Sequence, residues 1–236
     1  MNTRQVRIRV AFYSMLLAMV AVLQSRVLGQ GTFQNLDFEN GVFITISGDP
    51  YNRVQFAEAV PGWTGYLGTN QIDRLLHNDL FLSLAGVAIW GPDNPSAGYL
   101  HGHFYMILQN SFPTPTEVPA IAQTGTIPVG SQSLRLLSNS TLSLGIRAFF
   151  GGNEIPLQRI GTASNGRPLW GGAVSLFAGQ SGELRFRGEG YLDFIQFSNS
   201  PIPEPGTMAW LGLGGVAWLL RRRKQLRRGF REKATD

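Results

Sequence analysis

Carboxylates and imidazoles are the side chains that do most protein chemistry, and this sequence spaces a few of them suggestively. Asp37 and Glu39 stand two apart, which puts both on one face of a strand that begins at residue 37. Asp193 lies opposite them if the two ends of the domain pair. Three carboxylates with carbonyls nearby suit a structural Ca²⁺, which takes about six to eight oxygens. The alternative is that these acids cap turns or face water. His101-Gly102-His103 sets two imidazoles on one strand face, and His77 is the only other histidine. A metal centre wants about three or four protein ligands, and the chain has no Cys, so ordinary strand residues are the simpler reading. Glycoside hydrolysis needs two facing carboxylates, and Asp37, Glu39, Asp93, Glu183, Glu189 and Asp193 are available for such a pair. No Gly-x-Ser-x-Gly elbow and no phosphate loop is present, so the sequence favours a non-catalytic protein without a cofactor other than that calcium. Trp63, Tyr66 and Trp90 sit beside Gly, in expected loops, where rings stack on sugar faces. The competing expectation is that they pack the core.

These residues need a scaffold, and residues 30–198 read as all-β. Over 141–150, Leu142, Leu144, Ile146, Ala148 and Phe150 alternate with Ser143, Gly145, Arg147 and Phe149, the period of a strand with one buried face. Leu134 and Leu136 flank Arg135 in the same way, and Leu184 and Phe186 flank Arg185. Further strands are expected over 41–47, 81–90, 100–108, 173–177 and 191–198. The last is apolar on both faces and should be central. Many short strands divided by Gly, Pro, Asn and Ser predict a β-sandwich of jelly-roll type.

The two ends have another character. Arg4, Arg7 and Arg9 precede an apolar run over 10–23, and Val27-Leu28-Gly29 offers a cleavage site, so 1–29 reads as a signal peptide with a helical core. At the other end, 199–205 is a linker containing Pro203-Glu204-Pro205. An uncharged run over 206–220 follows and stops at Arg221-Arg222-Arg223, which opens a basic tail over 221–236. A transmembrane helix over 206–220 is about 22 Å long. That is short of ~30 Å of hydrocarbon, and snorkelling of the arginines makes up the difference. The formal charge of +5 is therefore a property of the ends: residues 30–200 hold eight bases, all Arg, against twelve acids. That balance excludes a nucleic-acid partner, which needs clustered cations.

Pro203-Glu204-Pro205, a Gly-rich apolar segment and Arg221-Arg222-Arg223 in this order resemble the PEP-CTERM sorting signal of Gram-negative bacteria that make exopolysaccharide. The resemblance implies an exosortase as partner after the secretion translocon and signal peptidase. It also implies a transient stay in the inner membrane and a final place at the cell surface or in the extracellular matrix. Phe33-Gln34-Asn35-Leu36-Asp37-Phe38-Glu39-Asn40-Gly41, Val60-Pro61-Gly62-Trp63 and the strand over 191–198 are similar to secreted galactose-binding-like jelly rolls, whose first and last strands lie side by side. Three functions remain open: a structural or carbohydrate-binding matrix protein, a secreted carbohydrate-active enzyme on the same scaffold, and an adhesin-like protein without a small ligand.

Overall fold

A computed structural model describes residues 31–94, 100–112, 117–139 and 145–202. The expected signal helix, transmembrane helix and basic tail lie outside these residues. The first of the chain's two units ends at Pro201, and its described part is an all-β, two-sheet sandwich. In chain order its strands are β1 (Arg53–Gln55), β2 (Thr64–Leu67), β3 (Asn70–Ile72), β4 (Arg74–His77), β5 (Gly86–Trp90), β6 (Tyr105–Gln109) and β7 (Pro119–Thr126), then β8 (Ser133–Leu137), β9 (Ile146–Phe150), β10 (Asn153–Ile155), β11 (Gln158–Thr162), β12 (Pro168–Ala173), β13 (Ser181–Gly188) and β14 (Gly190–Ser198). A single helical turn, α1 (Phe56–Ala59), follows β1. One sheet runs β1-β4-β5-β6-β14-β8-β12-β11 and the other β10-β9-β13-β7-β2-β3. Pairing is antiparallel except between β4 and β5.

Alternation decides which side chains enter the core. Ile146, Ala148 and Phe150 of β9 are buried while Arg147 is exposed, and Leu184 and Phe186 of β13 are buried around a half-buried Arg185. These residues meet Leu75, Val87, Ile89, Met106, Leu108, Leu134, Leu136 and Leu192 from the other sheet in the main core. The eight-stranded sheet also carries a second cluster on its other face. Leu76, Ala88, Tyr105, Ile107 and Leu137 take the alternate positions of the same strands, with Trp90 and Tyr191 packed against them. Both faces of this sheet are therefore apolar, as expected of β14, which lies centrally between β6 and β8.

The amino-terminal segment is not a strand, yet it reaches β14. The buried Gln123 side chain accepts from Gln34 N–H at 2.5 Å and donates to Gln34 C=O at 2.9 Å. Leu36 C=O accepts from Ile195 N–H at 2.9 Å. Phe33, Leu36 and Phe38 thereby enter the core, and Asn35 closes the turn by accepting Asn40 N–H at 2.9 Å. The expected strands over 41–47 and 173–177 are absent: the first contributes one bridge, Thr45 to Val54, and the second contains a 3-10 turn at Ser175–Phe177.

Candidate functional site

Two of the carboxylates singled out by spacing, Glu39 and Asp193, converge on one turn. β14 is interrupted after Asp193: the register with β8 runs Asp193 to Leu137 and then Gln196 to Arg135, with Phe194 at φ +50° in between. This bulge points Asp193 at the turn that leads into β6. Asp193 Oδ2 accepts His101 N–H at 2.7 Å, and Oδ1 accepts Phe194 N–H at 2.6 Å. Two residues along the same turn, Glu39 Oε1 accepts His103 N–H at 2.7 Å and Phe104 N–H at 2.9 Å. Gly102 makes the second contact feasible. It sits at φ +57°, and a Cβ there would stand 2.2 Å from Glu39 Oε1. Residues 101–104 thus form a backbone receptor that holds one acid from the amino-terminal segment and another from the last strand. Successive N–H groups converging on an anion are a recurrent carboxylate cradle.

The electrostatics of the two acids differ. Asp193 is fully buried, and its pKa is pushed up to about 8. Burial is the largest cause, the two N–H bonds oppose it, and the nearby charges of Glu39 and Asp37 add to it. Glu39 keeps contact with water, and its Oε2 lies 3.4 Å from His103 Nδ1. The His101 ring stacks on Phe194 at 3.9 Å between centroids.

Several expectations are corrected by this geometry. Asp37 and Glu39 do not share a strand face, because Phe38 between them turns at φ +58° and is itself buried. His101-Gly102-His103 is not a strand either; it is the turn before β6, whose main chain binds both acids, while the His103 imidazole lies beside Glu39 Oε2. The structure does bring Asp37, Glu39 and Asp193 into one neighbourhood. Three of the four oxygens of Glu39 and Asp193 already face N–H donors, whose positive ends occupy directions a cation needs. Among the described residues no group of three or more His, Cys, Asp or Glu side chains is placed to hold a metal ion.

The three aromatic candidates do not form one surface. Trp63 is 4 % exposed, donates from Nε1 to Asn35 C=O at 3.0 Å and packs on Phe38 and Phe186, so it cannot stack on a sugar without opening the core. Tyr66 lies in the six-stranded sheet under the Arg185 guanidinium, 4.2 Å from the ring centroid. Trp90 is half-buried in the eight-stranded sheet, 6.2 Å from Tyr105 and 6.4 Å from Tyr191. Spacing could not separate these environments, since a ring beside glycine reads alike in a core and in a loop. The sorting residues Pro203, Glu204, Pro205, Arg221, Arg222 and Arg223 lie outside the described residues. Among those described, no helix is long and apolar enough to cross a membrane.

A β-sandwich whose last strand ends at Ser198, followed at once by a sorting signal, defines an exported protein. Residues 201–224 match the PEP-CTERM protein-sorting motif. By that signal the chain is a PEP-CTERM protein, secreted or surface-sorted through an exosortase. No curated protein matches it. Among solved structures it is similar to the apo form of a cyclase from Fischerella sp., with 14% identity, coverage of 71% of this chain and 94% of that one, and a TM-score of 0.43. It is also similar to a cyclase from Fischerella sp. TAU, with 12% identity, coverage of 74% and 97%, and a TM-score of 0.44.

Proposed function

We propose that the chain enters the secretion translocon by residues 1–29, loses them to signal peptidase, and is held in the inner membrane by residues 206–220 until an exosortase acts near Pro203-Glu204-Pro205. The released sandwich then resides at the cell surface or in the exopolysaccharide matrix of a Gram-negative bacterium, as a non-catalytic module that binds carbohydrate. The observation that carries the sorting part is the match of residues 201–224 to the motif. The fold supports it: the β unit ends at Pro201, which leaves the Pro-Glu-Pro triplet directly beyond the folded cargo.

A second reading, a carbohydrate-active enzyme, draws on Asp193, because a carboxyl protonated near neutrality beside other carboxylates is what a general acid requires. Burial speaks against it. Asp193 is sealed from solvent with both oxygens engaged by N–H groups, so no glycosidic oxygen reaches it. The fully structural, adhesin-like reading requires only the sandwich. Replacing Pro203, Glu204 and Pro205 together by Ala tests the sorting reading. The variant is expected to accumulate in the inner membrane fraction, and unchanged release to the surface would rule out processing at this triplet.

A further inference from the structure

The strand pairings gather several strand ends at one end of the sandwich. β14 and β12 end there and β8 begins, with Ser198 and Ala173 both paired to Ser133. β7 ends beside the start of β13, with Thr126 paired to Ser181. Backbone bonds stitch these ends together. Gln132 N–H donates to Ser198 C=O at 2.8 Å, and Val174 N–H donates to Gln132 C=O at 3.0 Å. Gly179 N–H donates to Ile127 C=O at 2.9 Å, and Ile127 N–H donates to Gln180 C=O at 3.0 Å. The chain leaves the sandwich here, because Ser133 Oγ donates to Ser200 C=O at 2.7 Å. It also arrives here: Thr32 Oγ1 accepts Thr126 N–H at 2.6 Å, and a Cβ on Gly31 would stand 3.2 Å from Pro128 Cδ. The stretch that follows the apolar run over 10–23 and the stretch that leads to the run over 206–220 therefore meet the sandwich at the same end.

Four segments build this end: 31–34, 127–132, 174–180 and 198–202. None of them carries a charged residue, although residues 30–200 hold eight bases and twelve acids. Val129 and Leu176 stand on two of these segments, and each is 83% exposed. A Cβ on Gly179, three residues after Leu176, would stand 3.4 Å from Val129 Cγ2, so the two loops are neighbours. The Leu176 loop is held in place: Gln180 Nε2 donates to Leu176 C=O at 2.7 Å, and Phe177 packs on Phe150 at 5.4 Å between centroids. Bare apolar side chains gain by leaving water, and loops without charge enter a headgroup region at little desolvation cost. Six residues separate Ser200 from Gly206, where the second apolar run begins. That length of chain reaches at most about 20 Å.

We infer that this end of the sandwich docks on the lipid surface of the inner membrane, with Val129 and Leu176 set among the headgroups while the chain is still anchored. The short tether keeps both loops near the bilayer, and burial of their apolar side chains supplies the contact. With no charge in the four segments, the docking is indifferent to anionic lipid. Two side chains bury too little surface to retain a protein at a membrane by themselves, so cutting the tether also ends the docking. The inference rests on the reading above that residues 206–220 are held in the membrane, and it adds which face of the cargo meets the lipid.

The chain has no Cys, so single cysteines report one position each. Val129→Cys, Leu176→Cys, Leu82→Cys and Phe112→Cys are labelled with an environment-sensitive fluorophore in the full chain. Each is reconstituted in vesicles of phosphatidylcholine, or of phosphatidylethanolamine with phosphatidylglycerol, containing a headgroup-level quencher. Leu82 and Phe112 are exposed as well, but they precede β5 and follow β6 at the opposite end, where Gly86 pairs with Gln109 and Gly190 with Leu108. The labels at Val129 and Leu176 are expected to be blue-shifted and quenched in both lipids, and those at Leu82 and Phe112 to stay as in water. Leu176→Asp should move the ratio of docked to free loops, read at Val129→Cys, at least about tenfold toward free. Its thermal midpoint should not move, because the position is exposed. Resistance to carbonate extraction reads the anchor separately. An anchored chain with all four labels in water would overturn the docking and leave the anchor reading standing. Equal quenching at both ends, quenching that needs phosphatidylglycerol, or undiminished quenching in Leu176→Asp would overturn the docking as well. A chain that carbonate extracts would remove the anchor reading and the docking with it.

Discussion

Asp193 should make the stability of the sandwich fall as pH rises toward 8. Its carboxyl has a pKa of about 8 in the folded chain against an ordinary value of 3.8, so the native state holds a proton that the unfolded chain releases. Unfolding free energy decreases with pH wherever the native state binds more protons. The contribution is therefore complete below about pH 4 and is lost as pH rises to about 8, with a limiting slope of about 1.4 kcal/mol per pH unit. Near its upper end the curve flattens, and the loss between pH 6.5 and 8 is about 2 kcal/mol. His77 acts in the opposite sense. Burial lowers its pKa from 6.5, so it removes stability as pH falls below that value, and the window above it is the cleaner one. Glu39, Asp37, His101 and His103 surround Asp193, so the informative quantity is the difference between wild type and Asp193→Asn. Urea unfolding of both proteins at pH 6.5, 7, 7.5 and 8 supplies it. The wild type should lose about 2 kcal/mol more than the variant across this interval. Equal slopes would mean that the buried carboxyl stays ionised and that its two N–H bonds outweigh its burial.

Two further predictions concern the same turn. Glu39→Ala leaves His103 N–H and Phe104 N–H without their acceptor and should cost about 3 kcal/mol in denaturant unfolding, whereas Glu39→Gln keeps one oxygen for both donors and should cost about 1 kcal/mol. Gly102→Ala expels the same carboxylate, so combining it with Glu39→Ala should cost clearly less than the sum of the two; additive losses would show that the glycine and the acid act separately. Millimolar CaCl₂ should leave the thermal midpoint of the chain where it is, since N–H donors already fill most of the carboxylate positions. A rise that disappears in Glu39→Gln would instead assign a calcium ion to Asp37, Glu39 and Asp193.

Much of the scaffold was legible because one-sided burial writes a period of two into a strand. β8, β9 and β13 follow that pattern, and β14 announced its central place by being apolar on both faces. β7 was not legible: Pro119-Ala120-Ile121-Ala122-Gln123 offers little β-branched character, and small alanines fill its outer face where larger side chains would show alternation. The expected strands over 81–90 and 100–108 were each half right, since β5 and β6 begin only at Gly86 and Tyr105, and the residues before β6 form the turn that holds the two acids. Glu39 and Asp193 stood out by type, but the groups that hold them did not. Backbone N–H groups leave no trace in residue identity, and the only signal for them was the glycine between two histidines. The sorting signal, by contrast, depends on linear order alone and was read in full.

The central claim is that residues 201–224 act as a signal that is cut away once the sandwich has been exported. Intact mass of the protein recovered from the cell surface tests it most directly. The account predicts a product that begins at or near Gln30 and ends near Pro203-Glu204-Pro205, without Arg221-Arg222-Arg223. Surface protein that still carries the arginine block and the basic tail would contradict it.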